Sequence, residues 1–349
     1  MKKVLALMLC AMLLSVTGCA NKPAEEDKTL NLFTWENYVP ADTIAAFTEK
    51  TGIQVNYTNF SNNEEMYAKL KAVNGGEYDV IIASDYIFET MAKEGGLMTE
   101  IDQSKIPNFK NISPSYLNKN FDPGNRYTVP YATGCVLLAY NTKTCPIEIT
   151  GYADLLNPAL QNQVVTIDDM RVVIGMMNLM NGFDLNETDP EKLEQSKQSL
   201  LQMGTNIVAF NSDKPHEALL SNDASVGLMN NSHVSEAISQ NPDIKVVYPK
   251  EGIGIGIDSI CIPLNAPHKD AAYQFIDFVN DPEVNANIMP QIQYGTTNEA
   301  AMELLPQEFK DNKAINVPPE LLQDSQIIID VGEATKIYSD IWTEFKSAR

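Results

Sequence analysis

The sequence predicts an α/β protein with two lobes and a cleft between them. Strand-like and helix-like segments alternate from residue 29 onward, which is typical of α/β layers with mainly parallel sheets. Residues 29–349 are too many for one compact core and suffice for two domains. Two long extended segments, residues 127–141 and 252–263, are suited to crossing from one domain to the other and back. Two domains joined in this way form a hinge.

The first part of the chain contains three predicted strands separated by helices. The strands are expected at residues 30–34, 53–57 and 78–83. The first helix begins at Pro40 and ends before Gly52, because glycine favours the left-handed conformation that closes a helix. Later helices are expected over residues 64–73 and from Asp85 to the Gly95–Gly96 pair.

The second part continues the alternation. A strand over residues 164–167 leads into a helix that we expect Asp168 to cap. Further strands are expected at residues 206–210, 225–229 and 245–248. We predict a first lobe from residues 29–134 plus 258–302 and a second lobe from residues 135–257 plus 303–349. Open α/β sheets bind ligands at strand ends, so polar residues there are expected to face the cleft.

The N-terminal segment predicts export. Two lysines precede a short apolar run over residues 4–14, which is the layout of a signal peptide and too short to cross about 30 Å of hydrocarbon. The following Val-Thr-Gly-Cys sequence resembles a bacterial lipobox, so residues 1–18 are predicted to be removed and Cys19 to carry lipid. Residues 19–28 are polar and are expected to form a flexible tether. An ordinary signal peptide with an incidental cysteine is the alternative.

The composition argues against several classes of function. With 25 basic and 46 acidic residues, the chain has a formal net charge of −21, and this disfavours nucleic acid, whose binding depends on basic contacts to phosphate. Cys135, Cys145 and Cys261 form an odd set without metal-ligand spacing, so we expect neither a disulfide framework nor a metal site. Hydrolase, metalloprotease and nucleotide-binding motifs are missing, and we predict neither catalysis nor a cofactor. Membrane attachment is expected through the lipid only.

Motifs spread along the chain resemble those of one transporter family. They are TWENYVP at 34–40, SDYIFETMAKEG at 84–95, VVTIDDMR at 164–171, GIDSICIP at 256–263 and QYGTTNEAA at 293–301. In this order they resemble the spermidine/putrescine-binding proteins of bacterial ABC transporters. The resemblance implies a periplasmic-binding-protein-like fold, with two mainly parallel sheets flanked by helices and a cleft between the lobes. It also implies a monomer on the periplasmic or cell-surface side of the membrane that delivers its ligand to permease subunits.

A polyamine site has simple chemical requirements. Each ammonium group that leaves water needs a carboxylate or several hydrogen-bond acceptors, because an unpaired buried charge costs several kcal/mol. The methylene chain favours flat aromatic surfaces, and an aromatic face attracts the cation by about 0.5–2 kcal/mol. The resemblance implies these ligand-binding residues: Trp35, Glu36, Tyr38, Ser84, Tyr86, Asp169, Asp258 and Tyr294. The two aspartates are expected to bind ammonium groups, and Ser84 has helix capping as its alternative role.

The chain departs from the family pattern at a few positions. In the family, an acidic residue is usual at the positions of Asn37 and Val172, and a glutamine at the position of Ile328. Tryptophan is usual at the positions of Ala132, Asn230 and Gly256. Because less negative charge is left for a third ammonium group, we expect putrescine to bind at least as well as spermidine. The alternative ligand is another amine-bearing solute such as an amino acid, whose carboxylate needs a partner such as Arg171. We expect Arg171 instead to face solvent or a neighbouring acid.

Overall fold

The computed structural model describes residues 28–318, 321 and 325–348. The predicted signal peptide over residues 1–18, the predicted lipid attachment at Cys19 and all but the last residue of the predicted tether lie outside the described residues. Within the described part of the chain, none of the helices combines the length and the apolar character needed to cross a membrane.

The strands of the described residues form one continuous mixed sheet. Their bounds are β1 Thr29–Trp35, β2 Gln54–Phe60, β3 Val80–Ala83, β4 Thr128–Asn141, β5 Val164–Thr166, β6 Ile207–Phe210, β7 Val226–Asn230, β8 Ile244–Val247, β9 Gly254–Cys261, β10 Gly295–Thr296 and β11 Gln326–Ile327. Neighbours follow the order β2-β1-β3-β9-β4-β7-β5-β6, while β8 and β10 pair with β4 and β11 pairs with β9. β1 pairs in parallel with β2 and β3, and β5 pairs in parallel with β6 and β7, whereas β4 runs antiparallel to its partners.

Helices occupy the connections between these strands and confirm the predicted α/β class. Their bounds are α1 Ala41–Thr51, α2 Asn63–Ala72, α3 Asp85–Glu94, α4 Met170–Met180, α5 Pro190–Gly204, α6 His216–Ser221, α7 Asn231–Gln240, α8 Lys269–Val279, α9 Pro282–Ile292, α10 Glu299–Leu304, α11 Gln307–Lys310 and α12 Thr335–Ser347. Gly52 closes α1 with a left-handed φ of 73°, as its position in the sequence predicts. The Asn62 side chain accepts the Glu65 N–H over 2.8 Å at the start of α2.

β4 joins two groups of strands. Its first part, Thr128–Cys135, pairs with β9, and its second part, Val136–Asn141, pairs with β7 and β8. β9 in turn lies between β4 and β3. The two extended segments that the sequence singled out are therefore adjacent antiparallel strands, and they make the sheet mixed.

Buried apolar side chains of the described residues form three clusters. One draws on residues 135–253 and 314–345, and the other two draw on residues 30–132 and 257–315. Leu305, Phe309 and Ile315, which the predicted division assigns to the second lobe, pack in a cluster with residues of the first. The lobe boundaries given above stay a prediction.

The cysteines of the described chain behave as apolar side chains. Cys135 and Cys261 are buried within these clusters, and Cys145 packs half-buried against one of them. All three are free thiols. Burial raises the pKa of the Cys135 thiol to about 12, so this thiol stays protonated at neutral pH.

Candidate ligand-binding site

One cavity of about 710 Å³ is lined by all eight residues that the sequence predicts as ligand contacts. Four connections and one strand supply them: Trp35, Glu36 and Tyr38 at the end of β1, Ser84 and Tyr86 between β3 and the first turn of α3, Asp169 after β5, Asp258 in β9, and Tyr294 after α9. Side chains far apart in sequence meet here because several strand ends converge on the cavity. Their contact with a ligand stays a prediction.

Asp258 is held by hydroxyl groups. The Tyr38 hydroxyl donates to Asp258 Oδ2 over 2.5 Å, and the Ser84 hydroxyl donates to the same carboxylate. Burial raises the pKa of Asp258, and these two hydrogen bonds oppose the increase. Ser84 occupies the N-cap position of α3 without a side-chain capping bond. Its hydroxyl therefore serves the carboxylate rather than the helix.

Tyr38 and Tyr294 line the cavity beside this carboxylate, and the buried Tyr131 supports Tyr38 from behind. Tyr38 meets Tyr131 and Tyr294 edge-on, with ring centroids 5.5 and 5.3 Å apart. The Tyr131 hydroxyl donates to the Tyr38 carbonyl over 2.9 Å. Tyr294 lies against Gly134, where an added Cβ would be 2.7 Å from the ring, so glycine is required for this close approach.

Trp35 ends β1, and Glu36 begins the turn after it. The Trp35 and Phe60 rings pack with centroids 4.3 Å apart. The Tyr57 hydroxyl donates to the Trp35 carbonyl over 2.5 Å and accepts the Tyr38 N–H over 3.0 Å. Glu36 lines the cavity and stays exposed to solvent. β2 therefore holds the turn that presents these side chains.

Tyr86 links α3 to α2 at the cavity. Its hydroxyl donates to Glu64 Oε1 and accepts from Asn63 Nδ2, each over 3.0 Å. Burial raises the pKa of Tyr86 well above the ordinary tyrosine value, so the hydroxyl remains a neutral donor. Glu64 also lines the cavity, which adds a carboxylate close to Tyr86.

Asp169 caps α4. Its Oδ1 accepts the Val172 N–H over 2.9 Å. Burial raises the pKa of Asp169 and the charge of Glu64 raises it further, while the capping bond lowers it. The prediction that Asp168 caps this helix is wrong, because the helix begins at Met170 and the residue next to it takes the extended cap conformation. Asp168 instead forms an ion pair with Lys346 over 2.9 Å.

Arg171 is the only lysine or arginine among the described residues that line the cavity. It is 8% exposed, so of the two expected surroundings it has the neighbouring acids, Asp169 and Asp330, rather than solvent. Its Nη2 donates to Asn186 Oδ1 over 2.9 Å, and its guanidinium carbon lies 4.7 Å from the centroid of the Tyr338 ring. Burial lowers the pKa of the guanidinium, whereas Asp169 and Tyr338 raise it. α12 brings Tyr338 over this side chain, a contact that local sequence does not reveal.

The cavity is strongly acidic. Its carboxylates are Glu36, Glu64, Asp85, Asp168, Asp169, Asp213, Glu236 and Asp258. Arg171 alone among the lysines and arginines offsets them, so the cavity favours cations. Glu64, Asp85, Asp213 and Glu236 were not predicted from the sequence, because a chain with 46 acidic residues offers too many carboxylates to choose from. For Asp85 the available signal is its position between Ser84 and Tyr86.

Most positions that depart from the family pattern also line this cavity. They are Asn37, Val172, Asn230, Gly256 and Ile328. Ala132 is fully buried and pairs with Asp258 across β4 and β9. At Gly256 an added Cβ would have no neighbour nearer than the Gly134 carbonyl at 4.0 Å. The small residue therefore leaves open space above β9.

Two relatives match this chain over nearly its whole length. The spermidine/putrescine-binding periplasmic protein of Salmonella typhimurium is 36% identical over 333 residues, which cover 95% of each chain. Spermidine/putrescine-binding periplasmic protein 1 of Haemophilus influenzae is 34% identical over 361 residues, with both chains fully covered. The resemblance drawn from the motifs is thereby confirmed.

Solved structures and a family model agree. The substrate-binding protein PotD of a Streptococcus pneumoniae spermidine/putrescine ABC transporter, crystallised with calcium and HEPES, superposes with a TM-score of 0.81 at 32% identity, covering 92% of this chain and 99% of that one. The TpPotD lipoprotein of Treponema pallidum superposes with a TM-score of 0.80 at 26% identity, covering 91% and 99%. These neighbours confirm the expected fold. The family model for bacterial extracellular solute-binding proteins matches residues 42–317, and the chain belongs to that family.

Proposed function

We propose that this protein binds a polyamine, putrescine or spermidine, outside the cytoplasmic membrane and delivers it to an ABC importer. The observation that carries the proposal is the cavity, in which Asp169 and Asp258 stand among aromatic side chains and a surplus of carboxylates. Relatives named for spermidine and putrescine binding support the choice of ligand.

The two aspartates act as receptors for ammonium groups. Burial raises the pKa of both carboxyl groups, because neither is fully solvated in its ionised form. A cation placed beside them replaces the lost solvation and favours the ionised form. Tyr38 and Ser84 occupy only part of the acceptor capacity of Asp258, since an ionised carboxylate offers about four lone-pair sites.

The aromatic side chains of the cavity receive the methylene chain. Trp35, Tyr38, Tyr86 and Tyr294 present flat apolar faces beside the carboxylates, which suits an apolar chain with charged ends. Glu36 adds a charge at the exposed part of the cavity. Since Val172 stands where a further acid is usual in the family, that position offers no charge to a third ammonium group, and putrescine is expected to bind at least as well as spermidine.

Transport requires the two lobes to close on the ligand. The predicted lobes comprise residues 29–134 plus 258–302 and residues 135–257 plus 303–349. Phe309 packs in the apolar cluster of the first lobe, which favours extending that lobe beyond residue 302. The closed monomer then docks on the permease subunits. Small-angle scattering should show a smaller radius of gyration with saturating putrescine, and an unchanged profile would contradict closure.

Cys19 attaches the protein to the membrane in this proposal. The lipobox-like sequence before it supports lipidation, as does the likeness to a Treponema pallidum lipoprotein. Cys19→Ala should release the protein from the membrane fraction or leave the precursor uncleaved. Normal processing together with normal membrane retention would contradict the anchor.

Calorimetry with putrescine, spermidine and a panel of amino acids tests the ligand. We expect both amines to bind at tens of micromolar or more tightly, and a ligand at 100 times its dissociation constant to stabilise the fold by about 2.7 kcal/mol. If neither amine binds, the polyamine assignment fails and an amino acid takes its place. The engagement of Arg171 by Asn186 and Tyr338 argues against the amino acid, whose carboxylate would need that guanidinium.

A further inference from the structure

Asp85 is a carboxyl group of the cavity to which no ligand contact has been assigned. It is 2% exposed and lines the cavity between Ser84 and Tyr86. Its Oδ1 accepts the Tyr86 N–H over 2.8 Å, and its Oδ2 accepts the Ile257 N–H over 3.0 Å. The second bond ties the first turn of α3 to β9 at the residue before Asp258.

The N-cap residue and the first residue of α3 therefore each form a hydrogen bond to β9 at the cavity. Ser84 donates its hydroxyl to the Asp258 carboxylate, and the next residue, Asp85, holds the backbone of Ile257. Both bonds act on neighbouring residues of one strand, so they fix the position of Asp258 relative to α3. Asp85 thus belongs to the structure of the site as well as to its charge.

We propose that Asp85 is a further determinant of ligand binding, because it gives up a proton to the solvent when a cation enters the cavity. The carboxyl group changes from COOH to COO⁻, and the buffer takes up the released proton. This inference rests on the proposed function, since the cation is the ammonium group of a polyamine. That group stays charged throughout, because alkylammonium groups have pKa values of about 10.

The charges that face Asp85 in the ligand-free protein are negative. They are Asp258 from β9 and Glu89 from the next turn of α3, while Glu64 of α2 lies against the neighbouring Tyr86. Lys93 on α3 is paired with Glu89 over 2.9 Å and with Asp330 over 3.2 Å. Burial, followed by the charges of Asp258 and Glu89, raises the pKa of Asp85 to about 8, although the hydrogen bonds from the Ile257 and Tyr86 N–H groups lower it.

A bound ammonium group is expected to lower the pKa of Asp85. An opposite charge nearby lowers the pKa of a carboxyl group by about 1–3 units. Asp85 is then largely protonated at neutral pH before binding and largely ionised afterwards. By linkage, affinity for the cation rises with pH up to the ligand-free pKa of about 8, at most about tenfold per pH unit for one proton.

Calorimetry of the purified protein with putrescine at pH 7, in two buffers with different ionisation heats, measures the released proton. We expect the binding heat of the wild type to differ between the buffers and the difference to shrink clearly in Asp85→Asn, which keeps one oxygen acceptor. The matched control is Asp340→Asn, which removes a carboxylate with a 67% exposed side chain on α12 and should match the wild type. The comparison isolates Asp85 from Asp169 and Asp258, which all three proteins retain.

The outcomes separate this inference from the proposed function. If the wild type binds putrescine with the same heat in both buffers, or if Asp85→Asn shows the wild-type difference, proton release from Asp85 is wrong and polyamine binding stands. If the wild type does not bind putrescine, the proposed function fails and takes this inference with it. Should Asp85→Asn not fold, carbon NMR of the Asp85 carboxyl in the wild type decides: a change towards the ionised shift on adding putrescine supports release, and no change overturns it.

Discussion

Asp258 and Asp169 are half-buried carboxylates of the same cavity, yet the chain holds them in different ways. Asp258 lies within β9 and receives hydrogen bonds from the hydroxyls of Tyr38 and Ser84, which come from distant parts of the chain. Asp169 lies before α4 and accepts the N–H of Val172, three residues away. The first carboxylate is supported by tertiary structure and the second by its own helix.

Because of this difference, Asp258 is expected to matter mainly for ligand binding, and Asp169 for both ligand binding and the stability of the fold. The hydrogen bonds to Asp258 come from side chains that line the cavity, so they orient the carboxylate for a ligand. The cap at Asp169 satisfies a backbone N–H that would otherwise lack a partner at the helix end, so this residue also stabilises the fold. Substitutions should therefore affect affinity most strongly at Asp258, and affinity together with stability at Asp169.

Asp258→Asn is expected to have the largest effect. It removes a charge and can place an amide donor opposite the Tyr38 hydroxyl, which leaves the ammonium group without its partner. We expect a loss of about 2–5 kcal/mol in putrescine binding, or about 1.5–3.5 decades in affinity measured by calorimetry. Tyr38→Phe keeps the ring and the carboxylate and should lose less. Undiminished binding by Asp258→Asn would place the ammonium site elsewhere.

At Asp169, two substitutions separate charge from capping. Asp169→Asn retains a good cap and should lower putrescine affinity by about 2 kcal/mol, the lower end of the range for a lost buried charge partner. Asp169→Ala also removes the cap, so its free energy of unfolding should be about 1 kcal/mol lower than that of Asp169→Asn. Calorimetry and chemical denaturation measure the two effects. Equal stability of the Asn and Ala variants would contradict the cap.

Asp85 extends the comparison to a carboxyl group held by two backbone N–H groups. Its pKa is raised from 3.8 to about 8 in the folded protein, so the folded state holds this proton more tightly than the unfolded chain. The stabilisation is present below pH 3.8 and is lost as pH rises to about 8. Without ligand, the melting temperature of the wild type should fall more between pH 5 and 8 than that of Asp85→Asn. The reason is that the folded wild type holds about one proton on Asp85 that the asparagine variant lacks. Parallel curves would show that Asp85 titrates normally.

The smallest expected effect lies in the aromatic residues that line the cavity. Trp35→Ala should lower putrescine affinity by about 0.5–2 kcal/mol, the range for a lost cation–π contact. Trp35→Phe retains an aromatic face and should stay closer to the wild type. Calorimetry on both variants compares their loss of putrescine affinity with that of the carboxylate variants. A larger loss from Trp35→Ala than from Asp258→Asn would contradict the expected order of effects.

The sequence predicted the site residues that follow strands or lie within distinctive motifs. Trp35 ends β1, Tyr38 follows it and Asp169 follows β5, and such positions can be located from local patterns and motif resemblance. The cap of α4 was assigned to Asp168 instead of Asp169, because capping preference is the same for two aspartates and the point where the backbone turns helical decides between them. Glu64, Asp213 and Glu236 have no local signature in so acidic a chain.

The sequence alone determined the α/β class, the family resemblance and eight acidic, aromatic and hydroxyl residues that line the cavity, because these depend on local periodicity and motifs. Only the tertiary structure decided how those residues are held. Arg171 is covered by Tyr338, and Asp85 holds Ile257 across 172 positions of the chain. Such partners are selected by packing and by the need of buried polar groups for hydrogen bonds, which act between surfaces that meet only in the folded protein.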